Sequence, residues 1–172
     1  MEEIEHSNKV KILKELQKNG RATLSELAEK TGLSRQTVSK TIDNMERKKQ
    51  IWGYTTIFNP ELIGKKEFIF LAKLDLSSDT EDIIKKVTNA QFIKNNEEIY
   101  EFKTSVFLHG TSDLFISILA KNIIDAKKLM NNFKKLFPMN IKQIDLLEEI
   151  ATFRSNYIRN PNMKDEWYKI LP

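Results

Sequence analysis

The first part of the chain carries a helical period. Val10, Leu13 and Leu16 recur three apart among lysines, which predicts a helix over 7–19 that Asn19-Gly20 ends. Thr23 followed by Glu26 reads as a capping box, so a second helix is predicted from that point, with Leu24, Leu27 and Ala28 inward. Gly32 stops it, because glycine tolerates the left-handed conformation of a tight turn. Ser34 is the expected cap of a third helix. Its buried stripe is Val38, Ile42 and Met45, at i, i+4 and i+7. The stretch IWGYTTIFNPELIGKKE follows. It is first β-branched and aromatic, then broken at Asn59-Pro60 and Gly64, and predicts a short strand or wing leading into a linker.

The second part changes period from helical to alternating. Phe68, Phe70, Ala72 and Leu74 predict one face of a strand. A turn at Ser77-Ser78-Asp79 leads into a helix over 80–88, with Ile83, Ile84 and Val87 inward, and then a polar loop over 89–98. Tyr100, Phe102, Thr104, Val106 and Leu108 predict one face of a second strand. Gly110-Thr111-Ser112-Asp113 reads as a hairpin turn, and Leu114, Ile116 and Ile118 line a third strand. Asn122 caps a longer helix to Phe137, with Ile123, Ala126, Leu129, Met130 and Phe133 inward and Pro138 closing it. A fourth strand is predicted over 141–153. The order βαββαβ is that of ferredoxin-like folds. The expected fold class is α+β, with a winged helix-turn-helix over 1–59, a linker over 60–65, a ferredoxin-like domain over 66–153 and a tail over 154–172. The tail is polar yet holds Tyr157, Trp167, Tyr168, Ile170 and Leu171, so it is expected to pack on something, a partner subunit included.

Two short helices joined by a glycine-containing turn make a helix-turn-helix, with Leu33 and Val38 plugging the corner and Ala28 letting the helices approach. Such a motif inserts the start of its second helix into the DNA major groove. Here those residues are Ser34, Arg35, Gln36, Thr37, Ser39 and Lys40. Gln binds adenine and Arg binds guanine bidentately, while Ser, Thr and Lys suit phosphates or bases. A helical corner with a plain polar surface would carry the same residue types. Trp52 and Tyr54 fit either backbone contact or packing of the wing on the helices.

Charge adds a direction. Residues 1–59 hold 11 Lys and Arg against 8 Asp and Glu, and residues 60–172 hold 17 against 16. Three of the first segment's acids are Glu2, Glu3 and Glu5, so its body is more basic than its sum and suits a polyanion. The chain has no cysteine, hence no disulfide, thiolate metal site or thiol nucleophile. No apolar run approaches the roughly 18 residues of a membrane span, and the acidic, polar start does not read as a signal peptide. The two histidines, His6 and His109, are read as terminal and turn residues. Glu148-Glu149 would face opposite sides of a strand, and Glu97-Glu98 reads as solvated loop. No phosphate loop, dinucleotide fingerprint or metal-spaced cluster is present, so neither cofactor nor metal is expected.

From Lys9 to Gly64 the sequence resembles the N-terminal domain of the Lrp/AsnC transcriptional regulators, and the second part is similar to their ferredoxin-like effector and assembly domain. The resemblance covers about residues 7–153. It implies prokaryotic, cytoplasmic transcription control, double-stranded DNA as partner, a homodimer or higher even assembly, and modulation by a small metabolite such as an amino acid. It also implies an effector site at the turn between the second and third strands, at Gly110, Thr111, Ser112 and Asp113. Ser112 stands where the family often has an aromatic residue, the region 89–103 is longer, and the tail is additional. Two other readings stand beside this one: a tetrapyrrole decarboxylase-like enzyme of the same fold, and a sensor or oligomerisation module without DNA binding.

Overall fold

The structure, a computed structural model, describes residues 2–75, 77, 80–88, 100–137 and 140–170. The expectations for Ser78, Asp79, residues 89–98, Pro138, Leu171 and the side chains of Val87 and Trp167 lie outside what it describes. The chain divides into two units. One comprises Met1–Ile57 with Thr152–Leu171, the other Phe58–Ala151.

In the first unit, α1 (Glu2–Lys18), α2 (Leu24–Thr31) and α3 (Arg35–Arg47) enclose Ile12, Leu27, Val38 and Met45. The capping box forms as predicted: the Glu26 amide donates to Thr23 Oγ1 at 3.2 Å, and the Thr23 amide donates to Glu26 Oε2 at 2.7 Å. Gly32 ends α2 with φ 70°, where a side chain would be strained. Ser34 caps α3 by accepting from the Thr37 amide at 3.1 Å. Three expectations change. α1 starts at Glu2 rather than at residue 7, and the Glu5–Lys9 ion pair at 2.8 Å, four residues apart, supports its added turn. Its innermost residue is Ile12, flanked by the half-buried Leu13 and Leu16, because α1 packs on α2 and α3 together. Leu24, at the first turn of α2, is exposed.

The wing strand is absent. Residues 52–59 hold no regular structure, and Pro60–Ile63 forms a single 3₁₀ turn. A β-wing needs a second strand to take up its backbone hydrogen bonds, and Asn59-Pro60 turns the chain away before one can form.

In the second unit, β1 (Lys66–Leu74), α4 (Thr80–Thr88), β2 (Glu101–Phe107), β3 (Leu114–Ala120), α5 (Ile123–Leu136) and β4 (Ile141–Glu148) follow in the predicted βαββαβ order. The sheet order is β2-β3-β1-β4, with every neighbour antiparallel. Phe68, Phe70, Ala72 and Leu74 of β1 share the core with Leu114, Ile116 and Ile118 of β3. Ile83 of α4 and Ala126, Leu129 and Phe133 of α5 cover that face. Ile84 points outward instead of inward, Ile123 sits at the margin of the core, and β4 ends at Glu148 rather than at residue 153.

The largest departure lies in β2. Its pairing with β3 slips between Phe102 and Thr104, so Lys103 is an extra, bulged residue. Directly opposed residues share a face. Before the bulge Phe102 opposes Ile118 on the core side, but after it Ser105 opposes Ile116 and Phe107 opposes Leu114. Thr104 and Val106 therefore turn to the helix-free face, and with Leu108 they are exposed, contrary to the single alternating face predicted. On that helix-free face Glu67, 8% exposed, accepts from the buried Ser117 hydroxyl and from Lys103 Nζ. The bulge thus supplies the counter-ion of a buried carboxylate, which would otherwise be costly to fold away from water.

The turn between β2 and β3 is fastened to β1. The Leu108 amide donates to the Asp113 carbonyl at 2.8 Å, and the Asp113 amide donates to the Ala72 carbonyl at 2.9 Å. Asp113 Oδ1 accepts from Lys73 Nζ and Oδ2 from the Leu74 amide, each at 2.8 Å. The Lys73 bond first, and then the Leu74 amide, hold this carboxyl below its ordinary range.

Two outcomes are expected. Val38→Asp places an unpaired charge in a fully buried site and should unfold the helical unit, at a cost of roughly 3–5 kcal/mol, read as lost helical ellipticity. Asp113→Asn should lower the urea midpoint at pH 7. Because the folded-state pKa of Asp113 is depressed, its contribution is present above the unfolded pKa. The difference between wild type and variant should shrink as the pH falls below about 4.

Candidate nucleic-acid interface

The end of α2 at Gly32 and the restart at Ser34 determine which side of α3 faces solvent. Val38 and Met45 are buried and Ile42 packs against them, so the opposite side is free. The six predicted residues divide into two groups there. Arg35, Gln36 and Lys40 are exposed, and none has a hydrogen-bond or ion-pair partner among the described residues. They present guanidinium, amide and ammonium donors, which suit base edges and phosphates. Ser34, Thr37 and Ser39 are partly engaged. Ser34 Oγ lies 2.8 Å from Thr37 Oγ1 while it caps the helix, and Ser39 Oγ donates weakly to Asp43 Oδ2 at 3.5 Å. Hydroxyls held in this way can still accept one further bond, but they do not reach far from the helix. At the other end of α3, Arg47, Lys48 and Lys49 add exposed positive charge.

Beyond α3 the two aromatics behave differently. The Tyr54 hydroxyl donates to Glu46 Oε1 at 2.9 Å, and its ring lies over Gly20. Desolvation, then the bond to Glu46 and that residue's charge, push the Tyr54 hydroxyl up to about 12. It stays protonated and ties the segment after α3 back to the helices. Trp52 is 95% exposed and packs on nothing comparable. In the sequence Trp52 and Tyr54 look alike; what distinguishes them is the reach of Tyr54 back to Gly20, which only the fold brings about.

In the second predicted site the charged group is already engaged, while the Thr111 and Ser112 hydroxyls have no partner among the described residues. In the Gly110, Thr111, Ser112 and Asp113 turn, both Asp113 carboxylate oxygens are bonded within the chain, and the Gly110 carbonyl accepts from Lys73 at 3.4 Å. His109 beside it is exposed. Among the described residues no group of three or more His, Cys, Asp or Glu could hold a metal ion, and no helix is long and apolar enough to cross a membrane.

Residues 6–51 match a family model described as a winged helix-turn-helix DNA-binding domain. The chain is 30% identical over 139 residues to an HTH-type transcriptional regulator of Pyrococcus furiosus, an alignment covering 80% of this chain and 87% of that protein. It is 27% identical over 142 residues to the leucine-responsive regulatory protein of Escherichia coli K12, covering 83% and 79%. Its fold is shared with the crystal structure of an AsnC family transcriptional regulator from Agrobacterium tumefaciens, at a TM-score of 0.62 and 18% identity over 86% of this chain and 92% of that one. Helix-turn-helix, ferredoxin-like sheet and relatives all point the same way: the chain belongs to the Lrp/AsnC family and is a DNA-binding transcriptional regulator, not an enzyme.

Proposed function

We propose that α3 reads the major groove through Arg35, Gln36 and Lys40, with Ser34, Thr37 and Ser39 taking phosphate or water-bridged contacts beside them. The observation that carries this reading is the pairing of three unpartnered, exposed donors with a fully buried Val38 on the opposite side of the helix. In this reading residues 1–59 are the DNA-binding domain, 60–65 the linker and 66–153 the assembly domain, working in the cytoplasm of a prokaryote.

A single helix-turn-helix with modest net charge makes few phosphate contacts, and affinity at cellular salt depends on their number. The second part of the proposal is therefore a homodimer built on the helix-free face of the sheet. Register supports an apolar row across it: Val106 opposes Phe115, and Phe115 opposes Leu71. Ile69 and Leu147 oppose one another in the next row. Val106 and Leu147 are exposed and the other three are half-buried, an unusual amount of apolar surface for a sheet face without helices. Two copies joined there would offer two recognition helices to a pseudo-palindrome, with half-sites one turn, about 34–36 Å, or multiples of it apart. A zwitterionic effector at the Gly110–Asp113 turn would meet Asp113 with each oxygen already accepting one bond, and its ammonium would share that carboxylate with Lys73 or displace it.

Replacing Arg35, Gln36 and Lys40 together by alanine should weaken binding to a duplex from the protein's own promoter region at least tenfold, because one good base contact is worth roughly 1–3 kcal/mol. The circular dichroism spectrum should not change. Unaltered affinity, read by fluorescence anisotropy, would refute the assignment of α3. Light scattering of the intact protein at micromolar concentration should give a dimer, and Phe115→Asp should give a monomer. A monomeric wild type would end the dimer proposal.

A further inference from the structure

The tail contains a small hairpin outside both candidate sites. β5 (Arg154–Ser155) and β6 (Ile158–Arg159) pair antiparallel, with Arg154 opposite Arg159 and Ser155 opposite Ile158. The turn is Asn156-Tyr157, and both residues have positive φ, 41° and 70°, as the tightest two-residue hairpin turns require. Asparagine accepts that conformation readily; an aromatic residue does so at a cost. The hairpin is nevertheless closed firmly at its base. The Asn160 amide donates to the Phe153 carbonyl and Asn160 Nδ2 donates to the Thr152 carbonyl, each at 3.0 Å.

We propose that this hairpin is a second DNA-contacting element, in which Arg154 and Arg159 clamp a backbone phosphate and Tyr157 meets the neighbouring sugar-phosphate. The proposal rests on the DNA-binding reading of the chain and extends it to the tail. Directly opposed residues of a hairpin project from one face with Cβ atoms about 4.5–5.5 Å apart, and like charges so placed repel. Both arginines are exposed, and neither has an ion-pair or hydrogen-bond partner among the described residues. From Ile150 to Lys164 the chain has three basic residues and no acidic one, so the hairpin itself holds no carboxylate to relieve the repulsion. A phosphate between two guanidinium groups does relieve it, and accepts their donors in a geometry that suits it. Tyr157, 64% exposed at the tip, is held in its strained conformation with its hydroxyl available to donate.

Two further observations favour DNA over other polyanions. Thr152–Leu171 belongs to the same compact unit as the helix-turn-helix. That unit forms no β-wing after α3, so β5–β6 is the one hairpin it has among the described residues. An arginine pair that touches phosphate, and not bases, would add affinity without sequence preference.

The test uses full-length protein, a promoter duplex and a scrambled duplex of equal length, titrated by anisotropy over a salt series. Replacing Arg154 and Arg159 by glutamine should weaken both duplexes alike and lower the slope of log affinity against log salt by about 0.9 per protomer, the value for the one phosphate they share. R154K/R159K should retain most of that slope. Tyr157→Gly should raise the melting temperature by relieving the positive-φ strain and yet lower DNA affinity; a rise with unchanged affinity would remove the tyrosine from the interface. An unchanged slope in the glutamine variant would overturn the proposal. So would a loss of dimer by light scattering with the slope intact, which would assign the hairpin to a partner subunit. The α3 variant acts as the independent arm. If it keeps its promoter preference while the hairpin variant loses slope, the α3 assignment falls and the hairpin stands.

Discussion

The left-handed turn at Gly32 is the constraint from which the DNA-facing surface follows. It ends α2 after eight residues and lets Ser34 start α3 within two more. The capping box at Thr23 fixes where α2 begins, so its length is set at both ends by hydrogen bonds and not by packing. Once α3 starts there, burying Val38 and Met45 sets its rotation. Arg35, Gln36 and Lys40 are then left on the outside with unspent donors.

A comparable device shapes the sheet. The bulge at Lys103 inserts one residue into an edge strand and reverses which side chains face the helices. It removes Val106 from the core side and adds it to the face that also carries Phe115 and Leu71. It also sends a cation toward Glu67, whose carboxylate is bonded by Ser117 as well. A buried charged group of this kind contributes little net stability against an apolar substitute, yet is expensive to leave without its partner. The edge strand is thereby pinned in one register, since a slip would separate Lys103 from Glu67.

The polar groups of the two candidate sites differ in how far they are already committed. On α3 the hydroxyls cap and brace the helix while the long side chains remain free. At the β2–β3 turn the only carboxylate, Asp113, has both oxygens bonded in fastening the turn to β1. A residue type suited to ligand binding therefore serves first as a structural tie, and a cationic group brought to it would find Lys73 already paired there. The Tyr54 hydroxyl is committed in the same sense, to Glu46.

The helix-turn-helix was legible in the sequence because its signals are local. Thr23 and Glu26, Gly32, and Ser34 act within four residues of their partners, and the Val38-Ile42-Met45 stripe repeats at the helical period. The βαββαβ order was legible for the same reason, since the hydrophobic period switches between 3.6 and 2 at each helix–strand boundary and the Gly110–Asp113 turn separates β2 from β3. What lay beyond the sequence depends on partners distant along the chain. The face reversal in β2 appears only when it is paired with β3, because a bulge leaves no mark on the alternation of a single strand. The missing wing depends on whether a second strand is available, and the hydrogen bonds that occupy Asp113 come from a strand 39 and 40 residues away. Ile12 displaces Val10 as the innermost residue of α1 because two helices meet there at once. Local hydrogen bonding and periodicity thus determined the elements and their order; pairing register and packing, which act between distant segments, decided which faces and which polar groups were left free.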